Sequence, residues 1–444
     1  MRLAIDDVQG NITPGFRKDA QDFVFVRFPD SHSGRDWLGS VFKMGLSSTR
    51  RVGELNSAHR QAKIARVKPD ESTCANVALS FRGLRRLDTP DLNRFPSEFS
   101  ADLSSRAAQL RERAMDGWEF GGRNDTEPDA LLMLGADSVE ALERLRNHYR
   151  RAMDECGVSE LAACRGETLG GGRNHLGFKE GISQPDPDQP TEDGWAPSPD
   201  GQLAAPGEFI LGQPNASGAS TINGPEWARN GSYLVFVKFR QHPDVFERTI
   251  EDRVHQLREQ GVDGIDDEQL AAMLVGRRKD GLRLDALGDA CPLFAHIRKA
   301  YPRDHPELEP NRHRIIRRGI PYGDSTQSEK DCGLLFLAYQ ASIRDQFEHI
   351  LTRWLKNSTF PPPAAAAGFR PTQMPSRLET PGWDPFVGPG IEGGSYVMLH
   401  KPGAGVEHSD FVPLSLREFT EVLGVAYFFS PAIPCVEWLA RPRS

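Results

Sequence analysis

The stretch "LLMLGADSVEALERLRNHY", residues 131–149, joins an apolar run directly to a segment with helical periodicity. Its first part, through residue 136, has no charged residue, which is typical of a buried strand. In its second part Val139, Leu142 and Leu145 recur at the spacing of one helical face. Asp137 and Ser138 stand just before that face and are natural N-cap residues. The stretch therefore predicts a β-strand that leads straight into an α-helix.

The same order of elements returns in the second half of the chain. "LLFLAYQASIRDQFEHILTRW" (334–354) is again a strand followed by a helix, and "FVFVRFPDSHSGRDWL" (23–38) has its counterpart in "YLVFVKFRQHPDVFERTI" (233–250). Two such pairs indicate two similar α+β halves. By the same criteria we predict strands at 22–28, 76–81, 129–136, 232–239 and 333–339, and helices at 138–153, 245–260 and 342–355.

Two segments rich in proline and glycine interrupt this pattern. Residues 182–230 lie between the halves and are predicted to be a long connecting loop. Residues 360–390, "FPPPAAAAGFRPTQMPSRLETPGWDPFVGPG", are predicted to be a surface excursion.

Composition excludes several classes of protein. A net charge of −8 over 444 residues argues against broad nucleic-acid binding, which requires a basic face. No run approaches the roughly 18 apolar residues of a membrane span, and the N-terminal residues lack the apolar region of a signal peptide. The six cysteines are scattered without a CxxC pair, so we expect reduced thiols and a cytoplasmic protein.

One acidic residue stands in an unusual setting. "HLGFKEGISQP" (175–185) places Glu180 between Gly177 and Gly181, with apolar Phe178 and Ile182 on either side. Glu180 is either an exposed turn residue or an acid that a rigid turn holds beside an apolar pocket, where partial desolvation suits it for proton transfer.

Two basic segments offer a second set of candidates. His296 follows an apolar run in "CPLFAHIRKAYPR" (291–303) and precedes Arg298, so it is either a core histidine or a haem ligand with a cation nearby for a propionate. "NRHRIIRRGIPYG" (311–323) is either a solvated basic face or a segment from which one arginine points inward to polarise a bound oxygen.

Taken together, these stretches resemble the dye-decolorising peroxidases, a family of haem enzymes. "GFKEGISQP", "CPLFAHIRKAYPR" and "IIRRGIPYG" occur in the family's order. The similarity runs nearly end to end, through "DDVQGNITPGF", "FPSEF", "LLMLGAD", "GEFILGQPN", "NGSYLVFVKFRQ", "LVGRRKDG" and "GLLFLAYQASIRDQFEHILTRW". The resemblance implies an α+β fold of two ferredoxin-like domains, with antiparallel sheets that face each other and peripheral helices. We expect an N-terminal domain at 1–181, an inter-domain region at 182–230 and a haem-binding domain at 231–444.

The resemblance also implies a site. It makes His296 the iron ligand of haem b and Arg317 the arginine on the other face of the haem. The family's GxxDG motif lies on that same face and corresponds to Gly177 to Gly181 in this chain. Leu334 and Phe336 match apolar residues that cover that face. A carboxylate should accept a hydrogen bond from His296, and Asp345 and Glu348 are the two candidates.

This chain has Glu180 where the family motif carries aspartate. One more methylene extends the reach of the carboxylate by roughly 1.5 Å. We expect a haem peroxidase that uses hydrogen peroxide and a small organic electron donor, without nucleic acid or membrane as a partner. Two alternatives stay open, a haem enzyme specialised for one metabolite and a haem-binding protein without turnover, and so does a homo-oligomeric state.

Overall fold

A computed structural model describes residues 3–110, 112, 115, 117–123, 125–187, 203–284, 291–324, 331–362, 380–388, 395–400 and 411–442. In the N-terminal half, four antiparallel strands form one sheet in the order β4-β1-β3-β2. The strands are β1 (Ala20–Arg27), β2 (Thr73–Leu79), β3 (Ala130–Ala136) and β4 (Ser159–Glu167). This order is that of a ferredoxin-like domain.

The C-terminal half repeats this order. Its sheet runs β13-β7-β10-β8, and β9 also pairs with β10, so the second strand of the half is split in two. A single pair, Leu79 with Phe429, joins the two sheets through β2 and β13. The strands of this half are β7 (Ser232–Gln241), β8 (Ile316–Arg317), β9 (Ile320–Tyr322), β10 (Gly333–Gln340) and β13 (Thr420–Ser430). Two separate pairs are β5 (Asp186–Pro187) with β6 (Leu203–Ala204), and β11 (Ser395–His400) with β12 (Phe411–Leu416).

Helices connect and flank the strands. They are α1 (Ser31–Met44), α2 (Thr49–Ala65), α3 (Phe81–Arg86), α4 (Ser97–Ser100), α5 (Leu103–Arg106), α6 (Val139–Glu155), α7 (Pro243–Glu259), α8 (Asp267–Val275), α9 (His296–Ala300) and α10 (Ile433–Ala440). The helix predicted at 342–355 is present as two π-helical runs, Ile343–Glu348 and Ile350–Leu355. The Ser138 hydroxyl accepts from the Ala141 amide at 3.1 Å and so caps α6, as the sequence predicts.

One hydrophobic core lies between the two sheets. Phe23 and Phe25 of β1 contact Phe236 of β7 edge to face, with ring centroids 5.3 and 5.2 Å apart. The two sheets therefore face each other across an apolar layer, and the predicted α+β fold is confirmed. The opposite face of the C-terminal sheet borders a second compartment, which holds the candidate site.

The prediction that residues 360–390 form a surface excursion is wrong for part of that segment. Residues 381–385, within the segment predicted to be a surface excursion, are all buried. Residues 363–379 and 389–390 of that segment lie outside the described residues. Proline and glycine mark irregular backbone but not exposure, and here the irregular chain packs under the second compartment.

Two other sequence predictions have structural outcomes. All six cysteines are thiols, as expected. Among the described residues, no helix combines the length and the apolar character that crossing a membrane requires.

Candidate active site

The register of β10 decides which side chains enter the second compartment. Leu334 pairs with Phe239, Phe336 with Val237 and Ala338 with Arg317. Side chains alternate along a strand, and directly paired residues share a face. Leu334, Phe336 and Arg317 therefore lie on one face of the sheet, away from the core between the two sheets. All three keep part of their surface exposed.

Arg318 points to the other side. Its Nε donates to the carbonyl oxygen of Asn11 at 2.9 Å and its Nη2 to that of Ile12 at 2.8 Å. These contacts tie the C-terminal sheet to the N-terminal segment. Of the two adjacent arginines, only Arg317 thus shares a face with Leu334 and Phe336.

A cavity of about 440 Å³ opens on that face. Phe239 and Phe347, which both line it, have ring centroids 6.2 and 6.4 Å from the ring of Phe336. Phe386, another lining residue, lies 5.4 Å from the imidazole of His296. The other apolar walls include Val237, Leu351, Phe419, Val422 and Val425. The described lining residues do not include Arg317, Leu334, Phe336 or His296. The cavity reaches Phe336 through Phe239 and Phe347, and His296 through Phe386.

His296 begins α9 and is held by a carboxylate. Its Nδ1 lies 2.8 Å from Oδ2 of Asp384, which is fully buried, whereas the histidine side chain is 31% exposed. Oδ1 of Asp384 accepts from the amides of Phe386 and Val387 at 3.0 and 2.8 Å. Burial acts to raise the pKa of Asp384, but His296, the Val387 amide and the charge of Lys299 outweigh it and lower the pKa. No hydrogen bond of the other imidazole nitrogen, Nε2, is found within the described residues.

The expected partner of His296, Asp345 or Glu348, is therefore wrong. Asp345 faces Ser342 at the start of the π-helical segment, where the hydroxyl donates to its Oδ2 at 2.9 Å. Glu348 is buried against Arg106, with Nη2 to Oε2 at 2.5 Å. Asp345 thus contacts the start of that helix, and Glu348 joins the helix to α5. The carboxylate that binds His296 is Asp384.

A tight loop presents Glu180. Asn174 organises this loop: its Oδ1 accepts from the amides of Leu176 and Phe178 at 3.0 and 3.1 Å, and its Nδ2 donates to Oε1 of Glu180 at 2.7 Å. Gly177 and Gly181 have φ of +87° and +74°, which favour glycine, so their role here is to form the turn. Sequence reasoning missed Asn174, although an Asn shortly before a glycine is a known turn signal.

The loop also holds Arg317. Nη2 of Arg317 donates to the carbonyl oxygen of Ile182 at 2.9 Å, and its backbone amide donates to Oε1 of Gln184 at 2.9 Å. Burial lowers the pKa of Arg317, and the negative charge of Glu180 opposes that effect. The loop thus brings an acid and an arginine into one electrostatic unit.

Arg298 has protein partners. It donates to the carbonyl oxygen of Cys291 and forms an ion pair with Asp304. Its proposed contact with a haem propionate stays a prediction.

Comparisons with known proteins agree with this site. The family model of the DyP dimeric alpha+beta barrel domain matches residues 7–168, and that of the C-terminal region of Dyp-type peroxidases matches residues 172–360. The chain belongs to the dye-decolorising peroxidase family.

Similar proteins support this placement over nearly the whole length. The dye-decolorizing peroxidase msp1 of Mycetinis scorodonius is 27% identical over 98% of this chain and 87% of its own. The multifunctional dye peroxidase DyP2 of an Amycolatopsis species is 29% identical over 97% and 94%. The structure of an ancestral D-type dye decolorizing peroxidase covers 98% of this chain and 99% of its own, with a TM-score of 0.80 and 26% identity.

Membership in this family makes the chain a haem peroxidase, an enzyme that reduces a peroxide and oxidises an organic donor. The residues fit such a cofactor. An imidazole whose Nδ1 is held by a buried carboxylate is prepared to bind a metal through Nε2. The cavity beside it combines aromatic walls, which suit a flat porphyrin, with charged lining residues such as Lys356 and Arg417. The two alternatives, a metabolite-specific enzyme and a carrier without turnover, are not favoured.

Proposed function

We propose that the chain is a peroxidase that holds haem b through Nε2 of His296, with Glu180 and Arg317 as its catalytic residues. When bound, the haem iron supplies the redox change that splits the O–O bond. Hydrogen peroxide is the oxidant, and a small organic molecule is the donor.

The His296–Asp384 pair supports the ligand role. Asp384 accepts the Nδ1 proton at 2.8 Å, which fixes the tautomer and leaves the Nε2 lone pair available to a metal. Asp384 also makes the imidazole a stronger electron donor. Leu334 and Phe336 add apolar surface on the sheet face that carries Arg317.

The Glu180–Arg317 unit supports the catalytic roles. In its ionised form Glu180 accepts a proton from one peroxide oxygen and returns it to the other, which leaves as water. Asn174 holds Oε1, so Oε2 is the oxygen that moves the proton. Arg317, fixed by Ile182, stabilises the negative charge that develops on the oxygens.

The observation that carries the proposal is that one sheet face groups Arg317, Leu334 and Phe336 beside a cavity whose wall contacts His296. The test is an absorption spectrum of the haem-loaded protein before and after one equivalent of hydrogen peroxide, followed by addition of a dye donor. We expect a rapid spectral change that the donor reverses as it is oxidised. An unchanged spectrum, or peroxide loss without donor oxidation, would contradict the proposal.

We also propose the domain division at 1–181, 182–230 and 231–444, which the repeated strand order supports. Six thiols without a disulfide support a reducing compartment such as the cytoplasm.

A further inference from the structure

Lys299 is a buried lysine one helical turn after His296. Its side chain is fully buried, and its ammonium nitrogen donates to three backbone carbonyl oxygens: Asn357 at 2.8 Å, Gly382 at 3.0 Å, and Phe360. An ammonium group has three N–H donors, so all three are used. The three carbonyl groups around this position therefore match the hydrogen-bonding capacity of a lysine ammonium group.

Such a burial is costly for the fold. Removal from water lowers the pKa of Lys299 to about 7, and the negative charge of Asp384 opposes that shift. Buried charges of this kind are usually kept where hydrogen bonds and an opposite charge compensate them. A leucine or methionine would fill the same volume without this cost.

The carbonyls that Lys299 binds belong to two chain segments, one of which carries Asp384. Gly382 is two residues before it, and the Gly382 amide donates to the carbonyl oxygen of Ser358 at 3.0 Å, which joins the 357–360 turn to the same segment. Lys299 therefore connects three pieces of chain: helix α9 with His296, the 357–360 turn, and the segment that carries Asp384.

We propose that Lys299 is a positioning residue of the haem site, which fixes the Gly382–Asp384 segment against α9 so that the Asp384 carboxylate stays on Nδ1 of His296. The inference rests on the proposed ligand role of His296. Segments 88 residues apart in sequence meet at a 2.8 Å contact, and nothing in the local sequence keeps them in register. Lys299 lies on the same helix as His296, and the three directional hydrogen bonds of its ammonium group hold the two segments in register.

The test compares Lys299→Met with Lys238→Met. Lys238 is also buried and bonded, through Glu119 at 2.8 Å, but has no contact with α9 or Asp384 among the described residues, so it controls for the loss of a buried ammonium. The readouts are the iron–histidine stretching frequency of the ferrous protein by resonance Raman and the rate of haem transfer to an apo-globin. For Lys299→Met we expect a lower frequency and transfer faster by roughly 10- to 100-fold. Lys238→Met should change neither.

A double-mutant cycle separates positioning from general destabilisation. If Lys299 acts through Asp384, Lys299→Met should add little to haem transfer in an Asp384→Asn background, whereas Lys238→Met should leave haem transfer unchanged in both backgrounds. Full additivity, or a frequency equal to that of Lys238→Met, would overturn the inference.

A second variant decides the case if Lys299→Met fails to fold. Gly382→Ala leaves Lys299 intact, but its Cβ would lie 2.4 Å from the carbonyl oxygen of Tyr396 at a φ of +98°, so residue 382 must move. We expect the same lowered frequency, and an unchanged frequency would overturn the inference. Failure of the proposed function looks different, because His296→Ala would then keep its haem and its spectrum.

Discussion

The side-chain amide of Asn174 donates to Oε1 of Glu180 at 2.7 Å while its carbonyl oxygen binds the amides of Leu176 and Phe178. One residue therefore shapes the turn and also fixes the acid at its tip. Such a contact restricts the rotamers of the glutamate side chain, which otherwise has more freedom than the shorter side chain of an aspartate. This chain thus has a specific means to hold Glu180 in place.

Glu180→Gln should slow the oxidation of the haem by peroxide. Glutamine keeps the size and the bond from Asn174 but cannot accept the proton, and general acid–base participation is worth about 100- to 10,000-fold. Stopped-flow haem absorbance measures the rate, with the exposed Glu251→Gln as the control. A rate constant equal to that of the parent would show that Glu180 is a turn residue without a part in the chemistry.

Asn174→Ala should give a smaller loss. The carboxylate remains but is no longer held, and a hydrogen bond of this kind contributes about 0.5–1.5 kcal/mol, or up to roughly 10-fold in rate. The same stopped-flow measurement checks it.

Glu180→Asp completes the series: if the extra methylene misplaces the carboxylate, this variant reacts faster than the parent, and a slower rate shows that the Asn174 contact requires the longer side chain.

Arg317→Ala and Arg318→Ala should change different properties, the first the peroxide rate and the second the melting temperature. Loss of Arg317 removes the cation beside Glu180, so peroxide should oxidise the haem far more slowly, by about 100- to 1,000-fold. Loss of Arg318 leaves the carbonyls of Asn11 and Ile12 without their donor, so the melting temperature should fall while the peroxide rate changes little. Equal effects of the two variants on the peroxide rate would contradict the assignment.

His296→Ala should abolish or greatly weaken haem retention, because the chain loses its iron ligand. Asp384→Asn should keep the haem but weaken its binding by roughly 10- to 100-fold, because the ligand loses its negatively charged partner. Titration of apo-protein with haem, followed by absorbance, measures both, and the exposed His255→Ala serves as the control. Full occupancy with an unchanged ferric spectrum in His296→Ala would disprove the ligand assignment.

Stability should fall in acid partly through Asp137. Burial acts to raise the pKa of this residue, but hydrogen bonds from Lys18 and Ser72 outweigh it and hold the pKa below the usual range. Because the folded form has the lower pKa, Asp137 stabilises the fold above the pKa of an unfolded aspartate. That contribution is lost as the pH falls through the folded value.

Asp137→Asn should therefore reduce the free energy of unfolding by about 1.5–3 kcal/mol at pH 7 and by less at pH 3. Urea unfolding at the two pH values measures the difference, with the exposed Asp263→Asn as the control. A loss of equal size at both pH values would show that the charge of Asp137 does not matter.

Much of the fold could be predicted from local sequence. The strand–helix order of residues 131–149 returns at 334–354, and the structure has β3 with α6 and β10 with the π-helical runs at those places. Apolar periodicity reports which face of an element is buried, and that information is contained in neighbouring residues. The resemblance of whole segments to one family then gave His296, Arg317 and Glu180 as candidates.

Three features of the site required the tertiary structure. The resemblance already pointed to Arg317, but the physical reason that Arg317 and not Arg318 faces the site is the pairing of β8 with β10, because "IIRRGIPYG" has no regular alternation of its own. The bond from Asn174 to Glu180 depends on how the turn closes. Asp384 lies in a segment whose prolines and glycines suggest exposure, yet it is fully buried against His296, 88 residues away in sequence. Local sequence determines periodicity and turns. The partner of a buried polar group is determined by which distant segments pack together, because burial requires that partner and does not specify where in the chain it must be.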